Sequence, residues 1–297
     1  MFNPSPYRIR FALFISTLAL SLCGFSAPSA RARQQQPAPQ GQKRPPKKKL
    51  QASSNFAQYA GRDSSNRLIA GGATRKLGIS EATKQYQAGH ESFDAGKYAE
   101  AIEAFRKATA LEPTNALAFY SLGVAHEASG QNKEAIAAYR KVLELNPPPA
   151  LGGRANYNLG NVYSAEGQAQ EAVAAYKKVV EIDDGEPNAH YNLGLAQAAA
   201  GQNSEALASF QKAVRLKPDF ADAHYNLGIV YGMSEQYRAA AAAFKEAIRL
   251  KPGHAEAHFN LGLTYLALGD GRAAQAEIKE LQKLKPEMAN KLKNLSK

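Results

Sequence analysis

From residue 82 onward, the order of apolar, small and polar residues repeats itself. Aligning Gly96, Gly130, Gly167, Gly201 and Gly269 as one recurring turn divides the chain into units at 82–115, 116–149, 153–186, 187–220, 221–254 and 255–288. The period is 34 residues, broken once by the insertion Ala150-Leu151-Gly152 after Pro147-Pro148-Pro149. Counting each unit from 1, positions 4, 7, 8 and 11 share one helical face. Position 7 is Leu122, Leu159, Leu193, Leu227 or Leu261, and position 8 is glycine in every unit (Gly89, Gly123, Gly160, Gly194, Gly228, Gly262). After the turn a second apolar set follows. Position 20 is always alanine, position 24 is Phe105, Tyr139, Tyr176, Phe210 or Phe244, and position 32 is Pro113, Pro147, Pro218, Pro252 or Pro286. Two helices per unit are predicted, the second stopped by proline. A mid-helix glycine costs about 1 kcal/mol against alanine, so six of them imply close approach of a neighbour. The alanines at 20 are predicted to face them, with the aromatic at 24 filling the gap towards the next unit.

Leu-Gly at 7 and 8, alanine at 20, an aromatic at 24 and proline at 32, repeated in register, resemble the tetratricopeptide repeat family. Departures are local. Ala88 replaces the first leucine, Asp184 one proline and Glu235 one turn glycine, while Ile278 and Leu281 depart from the pattern of the last unit. The tail ANKLKNLSK at 289–297 reads as a capping helix over the end unit, which a repeat array needs. The resemblance implies an all-α fold, a right-handed α-solenoid of helix-turn-helix repeats whose first helices line a concave groove.

Position 6 lies off the packing face. Asn158, Asn192, Asn226 and Asn260 stand there, after Gln87 and Ser121 in the first two units. Each is expected to point into the groove, where a primary amide both donates and accepts and so grips a peptide unit without reading its side chain. The resemblance supports this, since asparagine ladders at this position bind extended peptides in some family members. Position 5 is aromatic throughout: Tyr86, Tyr120, Tyr157, Tyr191, Tyr225 and Phe259. These rings are expected to be groove wall first and ligand contact second. Position 9 is Val124, Leu195, Ile229 or Leu263, with His90 and Asn161 as exceptions, so the floor should be more apolar towards the C-terminus. The predicted peptide-binding set is therefore the four asparagines, Asn161, Tyr120, Tyr157, Tyr191 and Tyr225.

Other chemistry finds little footing. His190, His224 and His258 recur at position 4, one per unit, too far apart to share a metal ion at bonding distance, and read as packed or hydrogen-bonded rings. Asp183-Asp184 reads as a turn, and HEAS at 126–129 lacks the second histidine of a metalloprotease helix. No catalytic group, cofactor or metal is predicted. At position 2, Arg154, Asp222 and Glu256 are candidates for tuning specificity.

Charge and composition change the picture only before residue 82. The net charge is +11, and residues 1–81 hold 13 Lys or Arg against Asp63 and Glu81, leaving the repeats neutral. The repeats are thus no electrostatic magnet for nucleic acid. Residues 1–30 have the basic start, apolar run and small-residue end of an export signal. An uncleaved anchor and lipidation at Cys23 are alternatives, the latter opposed by Leu22 where lipoprotein signals carry a small residue. Cys23 is the single cysteine, which leaves no disulfide within the chain. Residues 31–81 read as a Pro-, Gln- and Lys-rich disordered tether suited to an anionic membrane or polymer. The expected protein is an exported scaffold of the cell envelope, periplasmic or secreted, binding a protein or extended peptide. Two narrower alternatives are an assembly or pilotin-type factor for a pilus or secretion complex, and a spacer that binds through its basic tether.

Overall fold

The computed structural model describes residues 80–297. The readings of residues 1–30, and of 31–81 except for its last two positions, lie outside the described residues. All regular structure among the described residues is α-helical: α1 (Glu81–Asp94), α2 (Tyr98–Leu111), α3 (Ala116–Ala128), α4 (Asn132–Glu144), α5 (Pro149–Ala165), α6 (Ala169–Ile182), α7 (Pro187–Ala199), α8 (Asn203–Leu216), α9 (Ala221–Met233), α10 (Tyr237–Leu250), α11 (Ala255–Ala267), α12 (Gly271–Leu284) and α13 (Pro286–Leu295). Each pair α1–α2 to α11–α12 is one predicted unit, and each second helix packs on the first helix of the next. The result is an all-α helical-repeat solenoid. No helix among the described residues is long and apolar enough to cross a membrane.

The core is a succession of small clusters, each shared between adjacent units. Ala101, Phe105 and Leu122 form one, and Tyr139, Ala155, Leu159 and Tyr176 another. Phe210, Leu227 and Val230 follow, then Phe244, Leu261, Ile278 and Leu292. The alanines at position 20 are all buried, because the two helices of a unit lie too close for a larger side chain. The glycines at position 8 meet a different partner from the one predicted. A Cβ built on Gly89, Gly123, Gly160, Gly194 or Gly228 would fall 2.6 to 2.8 Å from the position-24 ring of the same unit. The aromatic therefore lies across the glycine within its own repeat instead of only filling space towards the next.

The end unit shows why. Position 24 is Ile278 there, too short to cover Gly262, and the neighbour of Gly262 becomes Leu292 of α13. Leu292 is fully buried, so α13 supplies the missing ring's bulk from outside the unit. This helix starts at Pro286, three residues earlier than predicted, with the proline at its first turn where no N–H is needed.

Two other local departures have direct backbone explanations. The insertion at 150–152 is helical: α5 runs 17 residues where α3, α7, α9 and α11 run 13, so it adds a turn to a first helix. At the fifth turn Glu235 takes φ 57°, the left-handed conformation that glycine holds at the other five. The turn geometry is thus imposed by the helix pairing even where the residue opposes it.

Candidate functional site

The asparagines do sit on one face of the first helices, but they bind one another's neighbours. The Nδ2 of Asn192 donates to the Tyr157 hydroxyl at 2.9 Å, that of Asn226 to Tyr191 at 3.0 Å, and that of Asn260 to Tyr225 at 3.0 Å. Asn158 donates to two hydroxyls, Tyr120 at 3.2 Å and Tyr139 at 3.1 Å. Position 6 of one unit is therefore tied to position 5 of the unit before, and the ladder joins repeats. Each such bond contributes about 1 kcal/mol net, which gives the pattern a structural reason before any ligand is considered.

What remains free differs from rung to rung. An amide has two N–H donors and one oxygen acceptor. Asn158 has used both donors and keeps only its oxygen, while Asn192 and Asn226 keep one N–H as well as the oxygen. Asn260 is 0% exposed and its Oδ1 has no partner, so it cannot meet a peptide as predicted. Tyr120 and Tyr225 are likewise corrected to wall residues, each 6% exposed. Tyr225 packs against Phe244 and His254 at ring separations of 5.8 and 4.6 Å, and the Arg154 guanidinium covers the Tyr120 ring at 4.7 Å. Tyr157 and Tyr191 are partly buried, and burial holds the Tyr191 hydroxyl up at about 12.

A cavity of about 380 Å3 opens on this face between the third and fifth units. Asn192 and Asn226 stand in its wall, Leu195, Ile229 and Met233 make its apolar floor, and Asn161, Ser164 and Tyr176 close one end. Asn161 accepts from the Tyr176 hydroxyl at 2.7 Å, which leaves its N–H groups for other partners. The sequence reading reached Asn161, Asn192, Asn226, Leu195 and Ile229. It missed Ser164, Tyr176 and Met233, although positions 12 and 13 lie one turn beyond position 9 and share its direction.

The histidines at position 4 are hydrogen-bonded rings. The Nε2 of His190, His224 and His258 lies 3.1, 2.9 and 3.1 Å from the carbonyl oxygens of Asp184, Pro218 and Pro252, six residues earlier. Each occupies a carbonyl left open where the preceding second helix stops. His258 Nδ1 also meets Glu277 at 2.7 Å, and that carboxylate raises the imidazole above its ordinary range. At position 2, Asp222 and Glu256 pair with Lys251 and Lys285 of their own units.

Profiles described as tetratricopeptide repeats match residues 86–150, 160–201, 198–234 and 233–295, with boundaries that fall among these helix pairs. The chain belongs to the tetratricopeptide repeat family. A comparison with curated protein sequences returns no match. Among solved structures, it is similar to YrrB, described as a tetratricopeptide repeat protein with an unusual peptide-binding site. The two are 26% identical with a TM-score of 0.58, over 65% of this chain and 100% of YrrB. It is also similar in fold to MamA from Desulfovibrio magneticus RS-1 (24% identity, TM-score 0.55, 60% and 99% covered). PilW, described as a widely conserved type IV pilus biogenesis factor, shares the fold at 20% identity and a TM-score of 0.53, with 71% and 97% covered. Family membership accounts for the repeat pattern, and the Asn–Tyr rungs for its continuity between units.

Proposed function

We propose that this protein is a non-enzymatic interaction scaffold of the cell envelope that holds an extended peptide segment of a protein partner along the face formed by its first helices. The observation that carries this reading is the cavity between the third and fifth units, where Asn192 and Asn226 retain hydrogen-bonding groups above the apolar floor of Leu195, Ile229 and Met233. Its volume lies in the range of ligand sites, and its few polar groups converge on a largely apolar surface. The tetratricopeptide family and the peptide-binding site named for YrrB support a peptide as the ligand class. The envelope location rests on the export-signal pattern of residues 1–30. The contact set is accordingly Asn161, Asn192, Asn226, Tyr157 and Tyr191, with Asn158 offering an acceptor only.

The test is affinity capture from separate envelope and cytosolic fractions with the full-length chain, beside a variant carrying Asn192→Ala, Asn226→Ala and Met233→Glu. Circular dichroism checks that both are folded. A partner held by the first and released by the second is the expected result. Equal retention by both places the binding surface elsewhere, and capture only from the cytosolic fraction sinks the envelope assignment.

A further inference from the structure

One half-buried carboxylate beside the groove is held by a buried tyrosine hydroxyl and, among the described residues, by no cation. Glu127 is position 12 of the second unit, the place where the third unit puts Ser164 in the cavity wall. The other units carry Phe93, Ala198, Gly232 and Leu266 there, so an acid at this position is peculiar to the second repeat. Among the described residues, exposed carboxylates such as Glu134, Glu171 and Glu205 also stand without an ion pair, but they keep their hydration, whereas Glu127 is half-buried. Among the described residues no cation lies within ion-pair distance of Glu127. Its hydrogen-bond partner is the Tyr139 hydroxyl, donating at 2.7 Å, and that hydroxyl also accepts from Asn158.

The carboxylate is positioned as well as unpaired. Tyr139 is 0% exposed and its ring lies across Gly123, so the hydroxyl that holds Glu127 has no freedom to follow another group. Tyr139, Asn158 and Tyr176, which lie near Glu127, are neutral and partly or wholly buried. Burial raises the Glu127 carboxyl against the opposing pull of the Tyr139 bond. A cation placed at the open side of this carboxylate would replace lost hydration with a charge-assisted hydrogen bond, the stronger kind. Tyr176 connects the two regions, lying near Glu127 on one side and lining the apolar cavity on the other.

We infer that the groove selects extended peptides carrying a lysine or arginine at the boundary of the second and third units, where Glu127 receives it, with apolar side chains continuing over Leu195, Ile229 and Met233. This rests on the groove reading proposed above and adds a charge and a direction to it. Glu127 acts here as a specificity residue, and the Asn rungs supply contacts that do not depend on the peptide's sequence.

The experiment probes an array of nine-residue peptides with the full-length chain, its Glu127→Gln variant and its Met233→Glu variant. Glutamine keeps an acceptor for Tyr139, and circular dichroism checks each fold. Retained peptides are expected to carry Lys or Arg at one end beside apolar residues. Glu127→Gln should erase the basic preference and weaken the best such peptide roughly tenfold or more, while its uncharged Gln counterpart binds both proteins alike. Retention that Met233→Glu abolishes but that shows no basic preference overturns the selection and leaves the groove standing. A basic preference surviving Glu127→Gln overturns the role of Glu127. Retention of no peptide by the unaltered chain overturns both readings.

Discussion

Replacing Gly228 by alanine sets two effects of opposite sign against each other. Helix propensity alone favours the change by about 1 kcal/mol, because glycine loses more backbone entropy in the middle of α9. Against it, the new Cβ would lie 2.6 Å from Cε1, 2.7 Å from Cδ1 and 2.9 Å from Cζ of Phe244. Carbon contacts settle near 3.5–4.0 Å, so the ring has to retreat by about 1 Å. It has nowhere easy to go, being 0% exposed and packed on Tyr225, whose hydroxyl carries the Asn260 rung. Overpacking of this kind costs about 1–3 kcal/mol, so a net loss of about 1 kcal/mol is expected once the propensity gain is subtracted. Urea unfolding followed by far-ultraviolet circular dichroism and tyrosine fluorescence measures it, the chain having no tryptophan. Hydrogen exchange in α9 and α10 shows whether the loss is local, as nearest-neighbour coupling in a repeat array requires. Gly271→Ala is the control, since a Cβ there meets nothing within 4 Å; it should be neutral or stabilising. Pairing Gly228→Ala with Phe244→Leu should recover part of the loss caused by the glycine change. If Gly228→Ala proves as stable as the parent or more so, the close approach does not explain the glycine.

Glu235→Gly should stabilise the protein by about 1 kcal/mol by relieving a left-handed backbone at φ 57°; a lower urea midpoint would show that the glutamate side chain contributes more than the strain costs. A double-mutant cycle on Tyr191→Phe and Asn226→Ala should give a coupling of about 0.5–1.5 kcal/mol for their 3.0 Å bond, and simple additivity would remove the rung as a stabilising contact. His258 is raised in the folded state by Glu277, so its stabilisation is complete below the ordinary histidine value and is lost as pH rises through the elevated one. The stability difference between the parent and His258→Gln should accordingly be larger at pH 5.5 than at pH 8.5, and a difference that grows with pH contradicts the pairing.

The repeats were legible in the sequence because helix pairing is a nearest-neighbour matter. Every unit presents a small face at positions 8 and 20, and all but the fifth a glycine at the turn, so the same chemistry recurs every 34 residues and helix pairs can be drawn from spacing alone. That the asparagines share one helical face was legible too, since position 6 recurs in register on the first helices, but the full burial of Asn260 was not.

What periodicity does not carry is the identity of a side chain's partner in the next unit. The amide of Asn192 reaches a hydroxyl 35 residues away, and the close burial of Asn260 belongs to the end of the array. Both depend on the stacking of one helix pair on another, which converts an expected ligand contact into a rung between repeats. The exchange of an aromatic for Leu292 over Gly262 has the same origin. The sequence alone determined that small residues, turns and amides recur in register on known helical faces, because those demands are local. The tertiary structure decided which amides still have hydrogen-bonding groups to offer and which carboxylate is held half-buried on a tyrosine hydroxyl, because both depend on groups that only the packing of one helix on another brings within reach.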